Sequence, residues 1–319
     1  MRVKNCSPLN RSNNWTFSEC VSSARETGWA GTGALPPTGM TPKTGFSRST
    51  WAVEPRLASN LSLRSWLSLG AAFGIHHQLP DAADLSPVFG SPTLGPSRAF
   101  SAVLSARATR EMFTVETALF GRRMDHLATR NPDPQPTLAR ALVDTGRGRS
   151  YGVQLLVRTR CEGNGVCALA SYTLSRAERR ASDDASDMRW RLFDFDQTHV
   201  LSTTLGYRVR QWFLGTRFRY ATGMPRTPVV GAYGDTKAGI YRPILGEHNG
   251  SRLPDFVELD GRIDHTWRLR RSTIVASVEI LNVTNRTNAE EVVYSGDYSN
   301  HSFVSGLPLF VLAGLRLEI

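Results

Sequence analysis

The connections between the strand-like segments of this 319-residue chain alternate strictly in length. From about residue 50 onward, segments with apolar residues at every second position predict strands, because side chains alternate faces along a β-strand. The short connections fall at residues 64–66, 110–111, 161–167, 210–211 and 270–272, and the long ones at 79–97, 130–147, 181–195, 224–254 and 286–307. An antiparallel sheet with this order has its tight turns at one end and its long loops at the other. That asymmetry is typical of outer-membrane barrels, whereas a soluble sandwich has no reason to keep its long loops together.

The segment that begins at Asp255 shows the period of two most clearly. Val257, Leu259 and Ile263 share one face, and charged residues alternate with them. The charged positions of this segment and its neighbouring strands are Arg217, Arg219, Glu258, Asp260, Arg262, Asp264, Arg268 and Glu279. We predict that these eight side chains line the polar lumen of a barrel, with the apolar faces toward lipid. On a soluble sheet, the same residues would form a solvated face.

The fold class predicted from these patterns is all-β: a partial, antiparallel transmembrane β-barrel. It has roughly eleven strands. The alternative is a soluble or surface β-sandwich interaction protein without transport activity, in which apolar faces of two sheets pack on each other.

Residues 1–48 show no periodicity and are rich in Gly, Pro, Ser, Thr and Asn. We predict an irregular or disordered leader over residues 1–48 and barrel over residues 49–319. The first residues lack the apolar stretch of a secretory signal peptide. No apolar run approaches the ~18 residues of a membrane helix, so a helical membrane protein is excluded.

The chain carries 38 basic and 28 acidic residues, a formal net charge of +10. The arginines are dispersed over strands, turns and loops, with no basic helix and no RNA-binding motif. We therefore expect no nucleic-acid partner.

Candidate chemistry in the sequence is sparse. Asp196 and His199 are three positions apart, which in a strand puts them on opposite faces and argues against catalysis. The adjacent His76 and His77 point apart for the same reason, and nothing at ligand spacing accompanies them. We predict no enzyme activity, no metal site and no cofactor.

Two cysteines flank a short connection. Cys161 and Cys167 are separated by EGNGV. They either form a disulfide, as an oxidising periplasm permits, or remain two free thiols at a hairpin.

Two stretches of the sequence carry specific motifs. The first runs from Asp196 and holds Asp196, His199, Trp212, Gly215, Arg217, Tyr220, Thr222, Gly223, Pro225, Thr227 and Pro228. The second holds Asn249, Arg252, Leu253, Pro254, Leu259, Asp260, Arg262, Asn282, Asn285 and Asn288. In this order and spacing they resemble the C-terminal barrel of TonB-dependent receptors, and weaker similarity extends the resemblance from about Trp51 to Ile319.

The resemblance implies a Gram-negative outer-membrane receptor that takes up a scarce nutrient, such as a ferric siderophore, cobalamin or an oligosaccharide. It implies contact with membrane lipid and lipopolysaccharide, and with the TonB system only if a plug domain is supplied elsewhere. The sequence departs from the family in showing no recognisable plug and roughly eleven strands, about half of a 22-strand barrel. It also ends at Ile319 rather than at an aromatic residue. We therefore expect the C-terminal half of a receptor, from a truncated gene or a mis-assigned start.

Overall fold

The computed structural model describes residues 15–27, 47–133, 135–159, 165–180 and 189–319. Its strands are β1 (Trp15–Thr27), β2 (Ser47–Arg64), β3 (Leu67–Gln78), β4 (Ser97–Arg110), β5 (Phe113–Arg130), β6 (Leu142–Thr159), β7 (Gly165–Arg180), β8 (Arg191–Leu192), β9 (His199–Val209), β10 (Trp212–Ala221), β11 (Pro225–Arg226), β12 (Val229–Asp235), β13 (Ile240–Leu245), β14 (Ser251–Arg252), β15 (Phe256–Arg268), β16 (Thr273–Leu281), β17 (Ala289–Tyr294), β18 (His301–Ser305) and β19 (Phe310–Glu318).

One large antiparallel sheet dominates the described residues. Its order is β1-β2-β3-β4-β5-β6-β7-β9-β10-β15-β16-β19, and the short β8 pairs with β7. Neighbours in the sheet follow one another along the chain, apart from small strands inserted in the loops. This up-and-down order confirms the predicted all-β, antiparallel partial barrel. No helix in the described residues is long and apolar enough to cross a membrane.

The connections follow the predicted alternation. Tight turns join β2 to β3, β4 to β5, β9 to β10 and β15 to β16, while long segments join the opposite ends. Glu111 and Arg210 occupy two-residue turns with φ of 40° and 52°. A positive φ at the first central residue lets such a turn match the twist of its flanking strands.

Two of the long connections contain hairpins of their own, which the sequence analysis did not predict. Strands β12 and β13 form a separate hairpin between β10 and β15, and β11 pairs with β14 at its base. Strands β17 and β18 form a second hairpin between β16 and β19.

The predicted irregular leader also differs from the structure in one place. Strand β1 lies within residues 1–48 and pairs along its whole length with β2. Together with the two-residue β8, it brings the sheet to thirteen strands, against the predicted eleven. Residues 1–14 and 28–46 lie outside the described residues, so the prediction for them is untested.

The sheet has one apolar face, and nothing in the described residues covers it. Register places one apolar side chain opposite another from β2 to β19. Large exposed members of this face are Leu57, Leu61, Leu69, Phe73, Leu104, Leu119, Val153, Leu205, Leu214, Ile263, Val278 and Leu315. Among the described residues, the buried hydrophobic side chains are Leu94 and Ala221. A sandwich would bury this face against a second sheet, so the structure does not have the alternative architecture.

Candidate ligand-facing wall and loop base

The face opposite the apolar one carries an ion-paired ladder between β10 and β15. Arg217 lies directly opposite Asp260, and Arg219 lies directly opposite Glu258. The Arg217 guanidinium approaches the Asp260 carboxylate at 2.7 Å, and Arg219 pairs with Glu258. Asp260 is only 3% exposed, so its charge depends on Arg217 and on the Asn282 amide, which donates to it at 3.0 Å. Charge pairing across the strands therefore stabilises their register.

The ladder continues toward the short-turn end. Arg262 pairs with Asp264 on its own strand at 2.9 Å and with Glu279 on β16 at 3.5 Å. Arg268 ends β15, opposite Thr273. The structure thus places all eight predicted wall residues on one polar face, and their role as a lumen wall stays a prediction.

A cavity opens on this face at the long-loop end. It has a volume of about 560 Å³, which is in the range of small-molecule sites. Its lining includes Gln197, Ser202, Arg219, Thr222, Met224, Phe256 and Glu290. Of the eight wall residues, Arg219 is the one that the cavity contacts. The apolar rings and thioether beside a few polar groups provide both contact area and orientation for a bound molecule.

The base of the loop between β10 and β15 is held by Asp196 and Arg252. Asp196 is 2% exposed, and its carboxylate accepts from Arg252 at 2.6 Å and from the Ala177 amide at 2.7 Å. Arg252 also donates to the backbone oxygens of Asp196 and Gly223 at 2.9 and 2.8 Å. One arginine therefore ties together the segment before β9, the end of β10 and the end of the loop.

Gly223 is required at this junction by close backbone approach. A Cβ at this position would lie 1.8 Å from the Leu253 carbonyl oxygen, so a larger residue cannot be placed without moving the loop.

Asp255 holds the same junction from the other side. Its carboxylate accepts from the Gly223 amide at 3.1 Å and from the Tyr220 hydroxyl at 2.8 Å. These two hydrogen bonds lower the pKa of Asp255 because they favour the charged form, and the bond from the Gly223 amide has the larger effect.

Two asparagines fasten the loop between β16 and β19. Asn282 is 1% exposed, adopts φ of 49°, and donates to the backbone oxygens of Arg286 and Leu307 at 2.9 and 3.0 Å. Asn288 accepts from the Val257 amide and donates to the Val257 carbonyl, as a neighbouring strand would. Several of the motif residues therefore build the loop bases: Asp196, Gly223, Arg252, Asn282 and Asn288.

The remaining candidates do not form a site together. The Asp196 carboxylate accepts a hydrogen bond from Arg252, while the His199 ring contacts the Tyr172 hydroxyl at 2.8 Å. Within the described residues, no three His, Cys, Asp or Glu side chains are grouped to hold a metal ion. Cys167 is disulfide-bonded, but Cys161 lies outside the described residues, so their pairing stays a prediction.

An open antiparallel sheet with one apolar face, one charged face and all long loops at one end defines an outer-membrane-type β-barrel wall. The family described as TonB dependent receptor-like, beta-barrel matches residues 22–285, and the chain belongs to that family. Its members are transporters, not enzymes, and are outer-membrane proteins of Gram-negative bacteria. The match begins inside β1, which places part of the predicted leader within the barrel.

Solved receptors share the fold. The ferric-catecholate import receptor Fiu of Escherichia coli K12 superposes with a TM-score of 0.64 at 14% identity, over 96% of this chain and 43% of its own. The FrpB iron transporter of Neisseria meningitidis superposes with a TM-score of 0.60 at 15% identity, over 95% of this chain and 43% of its own. The pyoverdine receptor FpvA of Pseudomonas aeruginosa PAO1 superposes with a TM-score of 0.65 at 13% identity, over 97% of this chain and 40% of its own. The chain thus spans less than half the length of these receptors. No curated protein sequence matches it.

Proposed function

We propose that the chain forms part of an outer-membrane transporter that captures a scarce nutrient at its long loops and passes it along the charged wall. The observation that carries this proposal is the cavity of about 560 Å³ at the long-loop end of an ion-paired polar face, on a sheet whose other face is apolar. A polar lumen inside an apolar exterior suits passage of a hydrophilic solute through lipid.

A ferric siderophore is the ligand class that we favour over cobalamin or an oligosaccharide. The similar structures are named for ferric-catecholate import, iron transport and pyoverdine. Ferric chelates are commonly anionic, and Arg219 places a guanidinium at the cavity. The wall residues Arg217, Asp260, Arg262 and Glu279 then form the path below it.

An outer-membrane transporter of this kind has lipid and protein partners. The apolar face contacts membrane lipid and lipopolysaccharide, and coupling to the TonB system applies to a barrel that holds a plug domain. No nucleic acid takes part.

Membrane fractionation and ligand binding test the proposal. The full chain, exported behind a signal peptide, should fractionate with the outer membrane and run faster on gels before heating than after. In detergent, tryptophan fluorescence should report binding of a ferric catecholate chelate but not of the iron-free chelator, cyanocobalamin or a maltooligosaccharide.

A paired substitution sharpens the binding test. Arg219→Gln combined with Glu258→Gln removes the cavity guanidinium without leaving its partner charged, and should weaken binding of the ferric chelate. Arg107→Gln, an exposed arginine on the same face but away from the cavity, is the control. Equal binding by both variants and the parent protein would contradict the cavity assignment.

A further inference from the structure

The cavity at the long-loop end has two charged residues among those that line it. They are Arg219 on β10 and Glu290 on β17. Arg219 already pairs with Glu258 on β15, so its positive charge is offset within the wall. In the described part of the chain, the Glu290 carboxylate makes neither a salt bridge nor a hydrogen bond. The cavity therefore holds an acidic group that is left without a described ion-pair partner.

A β-bulge accounts for the position of this carboxylate. Ala289 pairs with Ser305 and Glu291 pairs with Val304, so Glu290 is the extra residue between two regular pairs. A bulge bends its strand and redirects the side chain of the extra residue, and bulges are common beside functional sites. Glu290 lines the cavity, whereas the next residue along the strand, Glu291, does not.

Gly306 and Asn288 fix the bulge to the sheet. A Cβ on Gly306 would lie 2.7 Å from the Glu290 Oε1 atom, so the glycine leaves room for this side chain. The Gly306 amide donates to the Asn288 carbonyl at 2.8 Å, and Asn288, which is 4% exposed, is hydrogen-bonded to the backbone of Val257. The carboxylate is thus held by an anchored segment, which lowers the entropic cost of binding a ligand.

The charge of Glu290 limits which chelates suit the cavity. A ferric catecholate is anionic at its iron centre, and a like charge placed beside it weakens binding. A cationic group elsewhere on the same ligand would form an ion pair with Glu290 instead. Arg219 and Glu290 would then contact opposite charges on the ligand and so fix its orientation.

We propose that Glu290 is a specificity-determining residue of this cavity, and that it binds an ammonium or guanidinium group carried by the ligand. The preferred ferric chelate therefore has a basic substituent in addition to its iron-binding groups. This inference rests on the proposed function, because it concerns the same cavity and the same ligand class, and it adds the chemical feature that decides between chelates.

Two ferric catecholate chelates test this role: one carries a primary amine, and the other is its N-acetyl derivative. The full chain in detergent should bind the amine-bearing chelate roughly fivefold more tightly, as expected for a partly exposed ion pair. The preference should shrink as salt is raised. Glu290→Gln should bind both chelates alike. Glu291→Gln, which removes the same charge one position along the strand and outside the cavity, should keep the preference.

The outcomes separate this inference from the proposed function. Binding of the N-acetyl chelate by Glu290→Gln shows that the variant is folded, so that a lost preference reports the missing charge. Equal affinity of the parent protein for the two chelates would overturn this inference and leave the proposed function standing, as would an unchanged preference in Glu290→Gln or a lost preference in Glu291→Gln. Failure of the parent protein to bind either chelate would overturn both.

Discussion

At the residue scale, a few polar side chains decide how the loops attach to the sheet. Arg252, Asp196, Asp255, Asn282 and Asn288 each satisfy backbone groups that a strand end leaves unpaired. Buried polar groups are costly unless they are hydrogen-bonded. Loss of one such side chain therefore leaves several backbone groups without a hydrogen-bond partner.

Asn282→Ala should lower the free energy of unfolding by about 2–4 kcal/mol, because it removes buried hydrogen bonds and places Ala in a left-handed conformation. Asn282→Gly, which relieves the backbone, should recover part of this loss. Urea-unfolding midpoints followed by tryptophan fluorescence measure both. Equal midpoints for the parent protein and Asn282→Ala would refute the role assigned to this side chain.

Asp255 should make loop attachment sensitive to acid. Its lowered pKa means that its contribution is fully present above the ordinary carboxylate value and is lost as pH falls through the lowered value. The midpoint difference between the parent protein and Asp255→Asn should therefore be largest near neutral pH and shrink as pH falls below the ordinary pKa of an Asp carboxyl. Glu247→Gln, at an exposed loop position, is the control. A difference that stays constant with pH would contradict this reading.

At the element scale, the charged ladder and the apolar side chains lie on opposite faces of the same strands. Period-two patterns were sufficient to predict which residues share a face, since alternation is a property of each strand alone. The ion pairs between strands were not predicted, because the pairing of Arg217 with Asp260 depends on the register between β10 and β15.

Other elements could not be predicted in this way. The sequence analysis predicts a long connection over residues 224–254, where the structure has hairpin β12–β13. The segments VVGAYGD and IYRPIL flank a Gly-containing turn, which is the signal for such a hairpin. The contact of Arg252 with Asp196 joins residues 56 positions apart, and burial of Glu178 needs arginines on two strands. Such partners emerge only when the sheet assembles.

Arg217→Gln should destabilise the protein by about 1–3 kcal/mol, because it leaves the Asp260 carboxylate buried without its partner. Adding Asp260→Asn should recover part of the loss, so that a double-mutant cycle gives a clear coupling energy. Additive effects of the two substitutions would show that the pair does not stabilise the strand register.

Leu119→Arg should cost about 2–4 kcal/mol in a lipid environment, because it places a charge on the apolar face near the middle of β5. Ala118→Arg is the matched control, since the neighbouring position faces the polar side. Unfolding midpoints in lipid vesicles compare them. Equal costs would mean that the two faces do not meet different solvents.

At the scale of the whole molecule, the two ends of the sheet differ in what they expose. Long connections with their own hairpins stand at one end, and tight turns stand at the other. In the proposed orientation, the first end meets the cell exterior and the second meets the periplasm.

Trypsin added to intact cells should therefore cleave after Lys237, at the tip of hairpin β12–β13, and spare Arg270 and Arg271 in the turn between β15 and β16. All three residues are exposed, so access rather than burial decides the result. Permeabilised cells should show cleavage at both ends. Peptide mass mapping reads the sites, and cleavage at Arg270 in intact cells would reverse or abolish the proposed topology.

Hairpin β12–β13 is nearly self-contained. Asp235 pairs with Arg242 at 2.8 Å within it, and below it the Gly246 amide donates to the Pro228 carbonyl at 2.8 Å, beside the β11–β14 pair. The residues between Asp235 and Ile240 at its tip can therefore be replaced without changing the β11–β14 pair at its base. A foreign peptide grafted between Asp235 and Ile240 would extend this hairpin while leaving the Asp235–Arg242 ion pair and the β11–β14 pair at its base intact.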